Sequence, residues 1–218
     1  MREVCGWFMR PCLRRRRFRG CGLSKTFALL AVFLLTDFVS TAKLVEIPEH
    51  TKNWQAFKGC EFVPQLYNNG NSFAVKVNGG EFVLRLAFVD APESDTRFPE
   101  RNAEQAEHFH VAVAIIPEWG KLAGVKIVEL LAKLFTVHTR WATAQGASRK
   151  PRFYAVITSA DGKDLGEALL ALGLARIKGL AMKPPTGESP AAYQVKLGKI
   201  ETAAHKDRQG IWGKSTEK

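Results

Sequence analysis

Arg85 lies five residues before Asp90 and eight before Glu93, and a second arginine, Arg152, follows the basic run Arg149-Lys150-Pro151. An Asn/Gly-rich turn, Asn68-Asn69-Gly70-Asn71, completes the set of residues that could do chemistry. Hydrolysis of a phosphodiester needs a base to take a proton from water and positive charge around the pentacoordinate phosphorus. A hard cation held by carboxylates is a common third element. Arginine suits the charge role because its planar fork binds two phosphate oxygens at once. Oxygen ligands such as Asp90 favour calcium or magnesium over zinc. Taken singly these features are weak, since a strand arginine is usually a surface residue and Asp-Ala-Pro-Glu usually a turn. Their arrangement is what points to a site.

The elements that must position them are short strands. From Gly59 the hydropathy alternates with period two, the pattern of strands with one buried face. Strands are expected over residues 60–67, 73–77 and 81–89, separated by the 68–71 turn and by Asn78-Gly79-Gly80. In the third, Leu84, Leu86 and Phe88 take one face while Arg85 and Ala87 take the other. Asp90-Ala91-Pro92-Glu93 ends that strand, because proline cannot continue a ladder. The spacing predicts a helix over 100–109 and a firmer one over 121–134, where Ile127, Leu130, Leu131 and Leu134 recur at helical intervals. A fourth strand over 135–141 and a fifth over 153–158 flank the basic loop. Helices follow over 165–172 and from Pro190, with Ser189 as N-cap. The expected fold is mainly β with α: a five-stranded barrel of the oligonucleotide-binding type flanked by about three helices. Loops of such barrels commonly hold single-stranded nucleic acid, though a fold alone licenses no function.

The stretch Phe82-Val83-Leu84-Arg85-Leu86-Ala87-Phe88-Val89-Asp90-Ala91-Pro92-Glu93 closely resembles the central motif of the staphylococcal nuclease (thermonuclease) family. Three further segments agree in order and spacing. They are Lys150-Pro151-Arg152-Phe153-Tyr154-Ala155-Val156, Asp161-Gly162-Lys163-Asp164-Leu165-Gly166-Glu167-Ala168-Leu169 and Ala203-Ala204-His205-Lys206-Asp207-Arg208-Gln209-Gly210-Ile211-Trp212. Together they cover roughly residues 59–213. The resemblance implies a calcium-dependent nuclease, with DNA as the expected substrate and RNA as an open alternative. It places Glu93 at the general base and Arg85 and Arg152 on the scissile phosphate. Asp90 falls on a calcium-ligand carboxylate, and the backbone carbonyl of Ala91 on a second ligand.

Departures from the family pattern bear on the metal. Where the family has an acidic Asp-Gly-Asp turn, this chain has Asn69-Gly70-Asn71. Asn71 offers a neutral amide oxygen, so one formal charge at the metal is gone, and affinity follows ligand charge. Three outcomes stay open: weak calcium binding, a shell completed by Asp95 or water, or a domain that binds nucleic acid or another polyanion without cleaving it. Tyrosines that stack on the nucleotide in the family have no clear counterpart near Lys178-Gly179-Leu180-Ala181. Residues 94–119 look longer and more apolar than the corresponding family loop.

The chain has 218 residues, a net charge of +11 and 46% hydrophobic residues, which excludes a disordered chain or a membrane bundle. Residues 1–42 hold eight basic residues and two acids, so they carry over half of that excess. Arg14-Arg15-Arg16-Arg17, an apolar run from Phe27 to Leu35 and then Ser40-Thr41-Ala42 read as a secretory signal peptide cleaved after Ala42. The run is too short to span a bilayer. Cleavage would leave Cys60 as the lone thiol, without an internal disulfide. The expected product is an exported, monomeric protein with no stable membrane association: an irregular arm over 43–58, the barrel over 59–213 and a short tail. Arg149 and Lys150 read as a phosphate-steering patch beside the barrel mouth. His108, His110 and His138 read as surface residues, and Trp54, Trp119, Trp141 and Trp212 as packing anchors.

Overall fold

The computed structural model describes residues 48–144, 150–179 and 182–217. The expected signal peptide over 1–42 and the patch residue Arg149 lie outside the described residues.

Five strands close a barrel in the spatial order β1 (Gln55–Val63), β2 (Ser72–Val77), β3 (Gly80–Leu86), β6 (Arg152–Thr158) and β5 (Phe135–Thr143). Every neighbouring pair is antiparallel except β3 and β6, which run parallel with Val83 opposite Arg152 and Arg85 opposite Tyr154. A parallel pair needs a long crossover, and this one contains two helices and β5. Between β2 and β3, Asn78 and Gly79 both take positive φ, 47° and 81°. That is the primed two-residue turn whose twist matches the flanking strands. The barrel interior is apolar: Phe73, Val75, Leu84, Phe135, Val137, Phe153, Ala155 and Ile157 are all buried. Along β5 the alternation holds, with Phe135, Val137, Thr139 and Trp141 inside and Thr136, His138 and Arg140 half-buried.

Among the described residues four α-helices flank the barrel, α1 (Pro99–Phe109), α2 (Ile116–Leu130), α3 (Leu165–Ala171) and α4 (Pro190–Lys206). Ser189 caps α4 by accepting from the Ala192 amide at 3.2 Å. Among the described residues no helix is long and apolar enough to cross a membrane.

Several boundaries differ from the expectation. The first strand starts at Gln55, inside the stretch read as an irregular arm, and stops at Val63 because Pro64 has no amide to donate. The third strand does not run on to residue 89. The Ala87 amide donates to Ala155 O at 2.9 Å, and Phe88 then takes a left-handed φ of 67°. The chain turns there, so Val89–Asp90 forms a separate short strand, β4, paired with β7 (Arg176–Ile177). That backbone conformation disfavours an L-residue by roughly 1–2 kcal/mol. The Phe88 ring, stacked edge-on against Tyr193 at 5.0 Å, is buried in return. α2 begins five residues before the expected start, with Pro117 in its first turn, and ends at Leu130, leaving Leu134 58% exposed.

The long segment 94–119 is explained by a second apolar cluster. Ala106, Phe109 and Ile116 pack there with Ala204, Ile211 and Trp212, so α1 is pinned against the closing Gly-Ile-Trp turn. This fixes which face of α1 looks back at the end of β3.

Candidate active site

Arg85 and Arg152 project from one face of neighbouring strands, since Arg152 pairs with Val83 and Val83 and Arg85 are two residues apart. Burial and the charges of Arg85 and Arg101 push the Arg152 guanidinium pKa down, while Glu93 opposes the shift. Those couplings place Arg85, Arg101, Arg152 and Glu93 in one electrostatic neighbourhood. Asp90, on β4 just past the bend, is the hub. Its Oδ1 accepts from Arg85 Nη2 at 3.2 Å and from Arg101 Nη2 at 2.9 Å. Its Oδ2 accepts from Gln105 Nε2 at 3.0 Å and from Arg176 at 3.2 Å (Nε) and 3.1 Å (Nη2). Burial alone would raise the Asp90 pKa. Arg101, the Gln105 hydrogen bond, Arg176 and Arg85 together hold it below the ordinary carboxylate value.

Glu93 is buried beside this hub. Its backbone amide donates to Gln105 Oε1 at 2.8 Å, and its Oε1 lies 2.6 Å from Arg101 Nε. The second contact is an ion pair rather than an aligned hydrogen bond. Ala91 O accepts from Asn71 Nδ2 and from Gln105 Nε2, each at 2.9 Å, and the Ala91 amide donates to Asn71 Oδ1 at 2.6 Å. Asn71 is itself held by the turn before it, since Asn69 Oδ1 accepts from the amides of Asn71 and Ser72. Lys150 is exposed, donates to Tyr67 Oη at 3.3 Å and sits 4.9 Å from the centre of that ring.

The structure therefore brings Arg85, Asp90, Ala91, Glu93, Asn71 and Arg152 together, and puts Lys150 on the loop leading to Arg152. Asp95, offered by the sequence as a substitute ligand, instead pairs with Arg97 at 2.6 Å in an exposed turn. A family model described as staphylococcal nuclease homologue matches residues 83–214. The chain belongs to that family. No curated protein matches it.

The family is generally one of nucleases and typically depends on calcium. In this staphylococcal nuclease homologue the donor set does not fit a divalent cation as it stands. A carboxylate offers about four acceptor sites and a carbonyl two. On Asp90 they are taken by Arg85, Arg101, Gln105 and Arg176, and on Ala91 O by Asn71 and Gln105. Two carboxylates, Asp90 and Glu93, stand among four guanidinium groups, Arg85, Arg101, Arg152 and Arg176. Among the described residues no group of three or more His, Cys, Asp or Glu side chains is arranged to hold a metal.

Three site residues escaped the sequence reading: Arg101, Gln105 and Arg176. Arg101 and Gln105 are four apart on α1 and so share one helix face. That spacing was a readable signal, but nothing local says that this face meets Asp90. Arg176 lies on the two-residue strand β7 and also reaches Glu104 Oε1 at 3.2 Å. The three histidines are not brought to the site. His108 instead pairs with Glu201 at 3.3 Å, and His138 lines a separate cleft beside α3 and α4.

Proposed function

We propose that this domain binds nucleic acid and hydrolyses its phosphodiester bonds, acting as an exported monomer on DNA and RNA. Arg85 and Arg152 each offer a planar fork to the phosphate oxygens. Glu93 takes a proton from water as its oxygen forms the new bond to phosphorus. The departing sugar oxygen leaves with its electron pair and takes a proton from solvent, and Glu93 then returns its own. Arg101 holds Oε1 of Glu93, while Oε2 accepts no hydrogen bond among the described residues and is the oxygen that meets the water. The single observation that carries this reading is the convergence of Arg85, Arg152, Asp90 and Glu93 at one end of the β3–β6 pair. Export rests on the basic, apolar and small-residue order of residues 1–42. Calcium dependence is typical of the family, but the donor set of this chain does not fit a divalent cation, and no step above is routed through a metal.

One observation favours a second reading, retention of nucleic acid without cleavage. The Arg101–Glu93 ion pair at 2.6 Å occupies one oxygen of the carboxylate that must act as base. Incubating the purified protein with denatured DNA separates the two. Degradation that Glu93→Gln abolishes supports hydrolysis; retention of DNA without degradation in any metal supports binding alone.

A further inference from the structure

Arg101 is one of the three residues of this site that no motif supplied, and its position is unusual. Its guanidinium bridges the two acids, with Nη2 at 2.9 Å from Asp90 Oδ1 and Nε at 2.6 Å from Glu93 Oε1. We propose that Arg101 is the resident cation of this site, standing between Asp90 and Glu93 where a divalent ion is expected, so that phosphate binding here needs no metal. The inference rests on the phosphate-binding reading above.

Four observations support it. First, a hard cation gathers anionic oxygens, and the two available ones already face a positive group built into the chain. Second, Asn71 is committed elsewhere. Its Oδ1 accepts from the Ala91 amide and its Nδ2 donates to Ala91 O, so both of these potential oxygen ligands point at hydrogen-bond donors. The Ala91 amide can only donate, which fixes the orientation of the Asn71 amide. Third, the two acids that Arg101 bridges are buried, so its ion pairs are little screened by water and salt. Fourth, the side chain is preorganised. α1 is locked by Phe109 packing on Trp212, and Gln105, one turn along, is fully buried and tied to Asp90, Ala91 and Glu93. Arg101 acts through Asp90 and Glu93 and is a positioning residue.

The test has readouts besides activity. Wild-type protein is titrated with calcium chloride by calorimetry, and its thermal unfolding is followed in calcium and in chelator. Binding of a labelled single-stranded oligonucleotide is measured in the same two buffers. The expected result is no calcium heat, no calcium-dependent change in Tm, and oligonucleotide affinities equal to within about twofold. The double variant Asn71→Asp with Arg101→Ala should gain calcium affinity by at least about tenfold, with Tm rising as calcium rises. If that variant fails to fold, Arg101→Gln with Asn71→Asp replaces it.

Calcium heat with a Tm rise in the wild type overturns the proposal. So does oligonucleotide binding that chelator abolishes, and so does a folded double variant that still ignores calcium. An oligonucleotide that binds in neither buffer overturns the nucleic-acid reading instead, and the calcium titration of the wild type still decides the role of Arg101.

Discussion

Asn71 and Ala91 are joined at two points, the Ala91 amide donating to Asn71 Oδ1 at 2.6 Å and Asn71 Nδ2 donating to Ala91 O at 2.9 Å. The side-chain amide thus mimics a strand partner and fixes the backbone between Asp90 and Glu93. An aspartate at this position keeps the first bond and loses the second, because an ionised carboxylate has no proton to give. Asn71→Asp should therefore destabilise the fold by about 1–3 kcal/mol at neutral pH, the cost of setting an acceptor against a buried acceptor. Urea unfolding of the two proteins checks this, and equal midpoints would mean that the pairing contributes little.

Two carboxyls, the half-buried Asp164 and the buried Asp90, give stability opposite dependences on pH. Asp164 caps α3, its Oδ1 accepting from the Glu167 amide at 3.0 Å, and burial pushes its pKa up to about 6. A raised folded pKa contributes stability that is fully present below the unfolded value and is lost as pH rises through about 6. We expect the wild type to lose up to about 3 kcal/mol from this group between roughly pH 4 and 6. Asp164→Asn, which still caps a helix, should flatten that decline. Asp90 acts the other way. Its lowered pKa contributes stability present above the unfolded value near 3.9, lost as pH falls through the folded one. The windows separate at about pH 4: the decline above it belongs to Asp164, while the decline below it is shared by Asp90 with Asp95, Glu104 and Asp161, whose pKa values are also lowered.

Much of this site was legible because it is local. Arg85, Asp90 and Glu93 sit on one strand and its exit, and their order alone suggests a shared pocket. Arg152 was legible because the basic loop feeds a strand that pairs with β3. What stayed hidden depends on long-range packing. Phe88 alternates like a strand residue, and only the bond from Ala87 to Ala155 and the stacking on Tyr193 show why the chain bends there. Arg101 and Gln105 share a helix face, but that face meets Asp90 only because Phe109 and Ile116 dock on Ile211 and Trp212. The end of α2 was misjudged because Leu134 continues the helical spacing after the chain has left the helix.

Gly120 of α2 lies so close to the site that a methyl group would not fit. A Cβ there would fall 2.4 Å from the carbonyl oxygen of Glu93 and 2.6 Å from that of Pro92. Gly120→Ala must push α2 away from the segment that holds Glu93, so both stability and oligonucleotide cleavage should fall. Gly124, one turn along, has nothing nearer than 3.9 Å. Alanine there only removes backbone freedom and should stabilise by about 0.5–1 kcal/mol. Thermal unfolding and cleavage rates of the pair provide the check, and a Gly120→Ala protein matching wild type in both would refute the close approach.

Arg85 and Arg152 should differ from the rest of the basic surface in how salt weakens binding. Each phosphate contact releases condensed counterions, so the logarithm of affinity falls linearly with that of salt concentration. For single strands, removing one contact lowers the slope by about 0.7. Arg152→Ala should therefore weaken oligonucleotide binding at all salts and make the slope shallower by about that amount. Arg85→Ala carries a second effect. Its guanidinium also pairs with Asp90 at 3.2 Å, so its loss leaves Asp90 to Arg101, Arg176 and Gln105. The hub remains satisfied, and we expect the folded state to survive with a modest fall in Tm. A slope unchanged by Arg152→Ala would show that the phosphate is held elsewhere on the barrel, whatever happens to total affinity.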